Sequence, residues 1–241
     1  MTRPMTRRSE DVLAFRSTPD VAESRPGFMV QVWLWMAGAV LLSAASAWAC
    51  ANLPIVAQAL FTARGLTTVG WLVTLAPLPL VMILSASLER LSPLLAAGLF
   101  LTYAVVVGLS LGGLVSAYTG HSLALTFVSV AAGFAGLALL GAVTRADLGR
   151  LGAFGMMSVM ALIVAMIANL VFHAPMLDLA ISAIGVLVFA GLAAFDAQRI
   201  SRLRASDWTG DDRAPILGAL TLYLDLLNLF LFALRLGGRR Q

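Results

Sequence analysis

Long runs without charge constrain this chain more than any other feature. Pro26 to Ala63, Gly65 to Leu88, Leu91 to Thr144, Leu151 to Phe172 and Leu179 to Phe195 contain neither an acid nor an arginine. A helix crossing a bilayer core about 30 Å thick needs roughly 20 apolar residues, and these runs hold one or two such lengths. Of the 241 residues, 60% are hydrophobic and 12% charged. A soluble domain carries about 25% charged residues, so a water-soluble globule is excluded. The single cysteine, Cys50, cannot form an internal disulfide and fits no metal-ligand spacing. All sixteen basic residues are arginines placed mostly between the runs, so the basic pI of 10.2 reads as membrane topology and not as a nucleic-acid surface.

The runs divide into an all-α integral membrane protein with a seven-transmembrane-helix bundle. Residues 1–27 form a polar leader, with Arg3, Arg7, Arg8, Arg16 and Arg25 against four acids and with Pro4, Pro19 and Pro26 breaking any helix. The membrane domain is residues 28–241. Its first helix is about Met29 to Ala51, stopped by Asn52-Leu53-Pro54 and followed by a short apolar external segment. Gly65 to Leu88 makes the second. Leu91 to Thr144 holds the third and fourth, with the turn at Tyr118-Thr119-Gly120-His121-Ser122. Leu151 to Phe172 is the fifth, Leu179 to Phe195 opens a sixth that continues into Arg199 and Arg202, and Pro215 to Leu236 is the seventh. Small residues such as Gly108, Ser110, Gly112, Gly113, Gly133 and Gly136 read as packing seams between helices.

With the N-terminus inside, twelve arginines fall on the inner side and four on the outer, as the positive-inside rule asks. The outer ones include Arg235, Arg239 and Arg240. A re-entrant last segment would return them to the cytoplasm, but its length suits a full crossing of about 33 Å.

A charge at the bilayer centre costs about 2.5 to 3.5 kcal/mol, so each acid inside a run calls for a role. Asp225 lies about 15 Å from the inner end of the seventh helix. Thr221, Asp225 and Asn228 follow an i, i+4, i+7 spacing and form one polar stripe. Asp196, in Phe195-Asp196-Ala197-Gln198-Arg199-Ile200, lies towards the inner end of the sixth helix, and the two aspartates can meet across the helix pair. Carboxylates that close titrate as a pair and share a proton or hold a cation. Arg90 at the end of the second helix is the cation nearest to hand, with Glu89 as its alternative partner; Asp196 has the alternative of Arg199 or Arg202. Asp147, Asp207, Asp211 and Asp212 read as solvated loop charges, and His121 and His173 as lone turn residues without a metal role. Trp33, Trp35, Trp48 and Trp71 fit an interfacial belt.

Three segments together resemble the bacterial branch of the transmembrane Bax inhibitor motif, or Bax inhibitor-1, family. They are Thr144-Arg145-Ala146-Asp147-Leu148, Phe195 to Ile200, and Gly218-Ala219-Leu220-Thr221-Leu222-Tyr223-Leu224-Asp225-Leu226-Leu227-Asn228-Leu229-Phe230, within a similarity over about residues 28 to 238. The resemblance implies a seven-helix fold with the C-terminal helix in the middle. It also implies a pH-sensitive calcium leak of the bacterial inner membrane, with the ion-binding and pH-sensing pair at Asp196 and Asp225 and a gating latch at Arg90. Asn228, Thr221 and Gln198 are the supporting residues. The family pattern has Tyr and Thr beside the first aspartate where this chain has Phe195 and Ala197, and some members carry an acid in the second helix, which this chain lacks.

Calcium takes 6 to 8 oxygens, more than Asp196, Asp225 and Asn228 supply, so waters complete a weak, transient site and no tightly bound cofactor is expected. The expected partners are the lipid bilayer, calcium and protons, with no nucleic acid. An intramembrane aspartyl protease is the enzymatic rival, but its second aspartate follows a glycine, whereas Tyr223-Leu224 precedes Asp225; the protein is expected not to be an enzyme. The alternative is a membrane regulatory protein that modulates a membrane protease or stress response without carrying ions.

Overall fold

The structure, a computed structural model, describes residues 27–62, 65–87, 91–202 and 213–238. The leader up to Pro26, Arg64, Glu89, Arg90, Arg204, Asp207, Asp211, Asp212, Arg239 and Arg240 lie outside the described residues. Helix α1 covers Gly27–Asn52, α2 Pro54–Leu60, α3 Thr68–Leu75, α4 Pro77–Ser87 and α5 Pro93–Ala117. Then follow α6 (Gly120–Val143), α7 (Gly149–Phe172), α8 (Pro175–Arg202) and α9 (Ala214–Gly237). Among the described residues, seven spans are long and apolar enough to cross a membrane, with α3 and α4 together making the second.

Local chemistry accounts for the boundaries. Thr67, Ser92 and Thr119 cap α3, α5 and α6 by accepting hydrogen bonds from the backbone N–H groups of Gly70, Leu95 and Ser122. At the end of α7, His173 takes a left-handed backbone with φ of 50°, and the Asn169 side chain accepts from the Ala174 N–H at 3.0 Å. Pro175 then opens α8 at a position where its missing N–H costs nothing.

Three expectations change. The segment after α1 is itself helical and ends in a two-residue antiparallel hairpin, β1 (Phe61–Thr62) with β2 (Gly65–Leu66). The second span is not one helix, because Pro77 has no N–H to bond the carbonyl one turn back and breaks it after Leu75. The sixth span starts four residues earlier than expected, at Pro175, which places Asp178 in the first turn, where the helix dipole favours an acid.

α1 packs chiefly on α5, whereas α8 packs on α6, α7 and α9. α9 touches α1, α5, α6 and α8, and 56% of its spanning window is buried, the largest share of the seven. Two close approaches need glycine. A Cβ on Gly108 would collide with the Ser43 carbonyl of α1, and one on Gly141 with the Ala194 carbonyl of α8.

Tyr223 of α9 is fully buried where α1, α5 and α9 meet. The Ser43 hydroxyl lies 2.9 Å from the Ala39 carbonyl and 2.7 Å from the Ala104 carbonyl. Its one proton serves these carbonyls, so the Tyr223 hydroxyl, 2.7 Å away, donates to Ser43. The rings of Phe100 and Tyr103 meet the Tyr223 ring edge-on at 5.9 and 6.0 Å. Tyr223→Phe keeps these ring contacts and loses one buried hydrogen bond. Its expected cost is about 1 kcal/mol, read as a lower denaturation midpoint in detergent.

Candidate functional site

α8 and α9 run antiparallel, with Gly218 of α9 packed against Ile200 of α8 near their joined ends. Deeper along this seam, the Asp196 and Asp225 carboxyl groups come within hydrogen-bonding reach of each other. Asp225 is only 5% exposed and Asp196 half-buried. Among the described residues, Asp225 Oδ2 is buried without a hydrogen-bond partner. Two carboxyl groups in such contact require a proton or a cation between them, because two adjacent carboxylates repel. Among the described residues no cluster of three or more His, Cys, Asp or Glu side chains accompanies them, so an ion held there would keep much of its water.

Arg199, three residues on from Asp196, is the cation that acts on its carboxyl group. Arg202 is engaged elsewhere, donating to the Ala146 carbonyl at 3.2 Å. Arg90 lies outside the described residues. Leu91, its chain neighbour, accepts a 2.9 Å hydrogen bond from Arg213 at the start of α9.

The supporting polar residues make other contacts than the pair. Thr221 Oγ1 donates to the Leu217 carbonyl at 3.1 Å, and Asn228 Nδ2 to the Leu224 carbonyl at 2.9 Å. Gln198 is 3% exposed and faces the α6–α7 loop. Its Oε1 accepts from the Leu148 N–H at 3.1 Å, and its Nε2 donates to the carbonyls of Ala146 at 2.7 Å and Thr144 at 3.3 Å. Ser201 Oγ adds a 3.4 Å contact to the Ala142 carbonyl. The Thr144 to Leu148 segment is therefore a socket for α8. Asp147 is exposed in that loop, where its Oδ1 accepts from the Gly149 N–H at 3.0 Å in a local turn that leads into α7.

Sequence reasoning missed this clamp and the Tyr223–Ser43 bond, although a glutamine inside an apolar helix was a legible signal of a buried partner. Gln198→Ala breaks three hydrogen bonds and leaves loop carbonyls unpaired. A loss of about 1 to 3 kcal/mol is expected, with faster proteolysis of the α6–α7 loop as the companion readout.

Polar bonds thus tie α9 to α1 and α5 through Tyr223, and α8 to the α6–α7 loop through Gln198. The two aspartates face each other across the α8–α9 seam.

Comparison with known proteins agrees with the resemblance. The family described as inhibitor of apoptosis-promoting Bax1 matches residues 25–241. Inner membrane protein YbhL of Escherichia coli (strain K12) is 37% identical over 234 residues, covering 94% of this chain and 99% of that protein. An uncharacterized protein of Caulobacter vibrioides is 38% identical over 89% of each chain, and one of Deinococcus radiodurans is 38% identical over 89% of this chain and 91% of its own. With a match across the whole membrane domain and relatives of this identity over nearly their full length, the chain belongs to the Bax inhibitor-1 family.

Proposed function

We propose that the protein is a pH-sensitive calcium leak of the bacterial inner membrane, its N-terminus cytoplasmic, gated by the Asp196–Asp225 pair. The observation that carries this reading is the contact of the two carboxyl groups inside the bundle, with Asp225 Oδ2 left without a donor among the described residues. When the pair holds a proton, the carboxyl groups bond each other and pull α8 and α9 together. Loss of that proton sets two negative charges side by side in a medium of low dielectric, where they repel strongly. The seam loosens, water enters, and a hydrated calcium ion replaces the proton. With few protein oxygens to hold it, the ion leaves again, which suits permeation.

Arg199 is the charged side chain acting on Asp196 from its own helix, and Arg90 is the latch in this reading. The inner-membrane placement is supported by the printed name of the Escherichia coli relative and by the seven apolar spans. The twelve-to-four arginine bias supports the orientation.

Calcium flux into proteoliposomes, followed from about pH 6 to about pH 8, tests the proposal. Flux is expected to rise with pH. No flux above that of empty vesicles, from protein shown to be folded, would remove the leak and leave a regulatory membrane protein, the partner of a membrane protease or another membrane protein.

A further inference from the structure

Between the carboxylate pair and the C-terminal end of α9, the α8–α9 seam is closed by aromatic rings. Phe189 and Phe232 stack with centroids 5.7 Å apart and planes 23° from parallel, and they are 8% and 7% exposed. The Phe232 ring lies on Gly185, where an added Cβ would enter it. Ile181, one turn before Gly185, is 2% exposed and lines a cavity of about 790 Å³. Tyr118, Asn169, His173, Asp178 and Arg235 also line this cavity, which lies where α5 and α7 end, α8 begins and α9 ends. It is therefore a polar chamber at the opposite end of the seam from the α8–α9 connection. Residues 225 and 232 are separated by about 10 Å along the helix, and the next residues towards the chamber are apolar until Arg235.

From this order of carboxylates, stacked rings and polar chamber, we infer that the Phe189–Phe232 stack is the dry barrier of the ion pathway and that the chamber is its mouth on the α9 C-terminal side. The inference rests on the proposed leak and adds to it a second closure. A narrow apolar passage excludes water and so blocks a hydrated ion without binding it. The flat ring contact over Gly185 lets the two rings fill the seam without a side chain beneath them. Opening then requires both the loss of the shared proton and the parting of the rings.

The test uses Leu229→Cys, a buried position one turn from both Asp225 and Phe232, in the full chain. Cys50 stays as the buried native thiol and background control. Sealed membrane vesicles of both orientations are exposed to a membrane-impermeant thiosulfonate, with the stack intact, with Phe232→Ala, and with Phe189→Leu, which thins the stack from the other helix and leaves a smaller void. Labelling from the α9 C-terminal side is expected to be absent with the stack intact and to appear in both variants, accompanied at high pH, where the shared proton is lost, by a calcium flux several times that of the parent. Equal labelling with and without the stack, or none in either variant, would overturn the barrier. Labelling as expected with no calcium flux in any vesicle would keep the barrier and remove the calcium reading instead.

Discussion

Asp225→Asn is expected to abolish the pH response of calcium flux. Asn has the shape of Asp, and its amide donates a hydrogen bond to Asp196 at every pH, so the α8–α9 contact no longer depends on a proton. Flux should stay at the closed level across the range in which the parent changes by roughly tenfold or more. Folding stability should be unchanged or higher, because a carboxylate deep in a membrane protein costs about 2.5 to 3.5 kcal/mol when ionised. Asp225 is 5% exposed with an unpartnered oxygen, so the substitution removes a liability at that site. Asp196→Asn should act in the same direction, and less strongly, since Asp196 is half-buried and has Arg199 beside it. Asp147→Asn is the control, an exposed loop residue whose substitution leaves flux and its pH profile intact. A pH response preserved in both Asp225→Asn and Asp196→Asn would sink the di-aspartyl gate.

A large effect on stability is expected at Gly108. An alanine there points its methyl into the Ser43 carbonyl, a backbone atom of α1 that cannot rotate away. α1 and α5 must separate, at a cost of about 1 to 3 kcal/mol for the overpacking alone. The shift also moves Ser43, which accepts from Tyr223 and contacts the Ala104 carbonyl, so the anchor of α9 is strained together with the seam. Gly133→Ala is the matched comparison. Nothing lies within 4 Å of a Cβ at Gly133, and alanine is the better helix former by up to about 1 kcal/mol. Chemical unfolding in detergent micelles should therefore lower the midpoint for Gly108→Ala and hold or raise it for Gly133→Ala. Equal midpoints would show that the α1–α5 approach does not limit stability.

The contrast between these two glycines also shows where sequence reasoning reaches and where it stops. Both belong to stretches rich in small residues, and both read as seams. Gly108 and Gly112 meet α1 and Gly113 meets the Phe61 ring of β1, while Gly133 and Gly136 have open space around them. In a water-soluble helix the apolar stripe marks the buried face. In a membrane helix the lipid-facing side is as apolar as the protein-facing side, so the pattern does not mark the interface. Leu94 and Ile55, 84% and 81% exposed, look no different in the sequence from fully buried Leu222.

The number of spans and most of their ends were readable from the chain itself, because unpaired backbone groups and charges are costly in hydrocarbon and each span must be an unbroken stretch without them. The break of the second span at Pro77 was not read from the sequence, although a proline inside a helical run is its ordinary signal. The same cost made Asp196 and Asp225 stand out before any fold was known. Their contact, the rings of Phe189 and Phe232 between them and the chamber, the Gln198 clamp and the Tyr223–Ser43 bond were decided only by tertiary structure. Each joins residues far apart in the chain. Helical spacing determines which side chains share a face, but the neighbour that face meets depends on how the whole bundle packs.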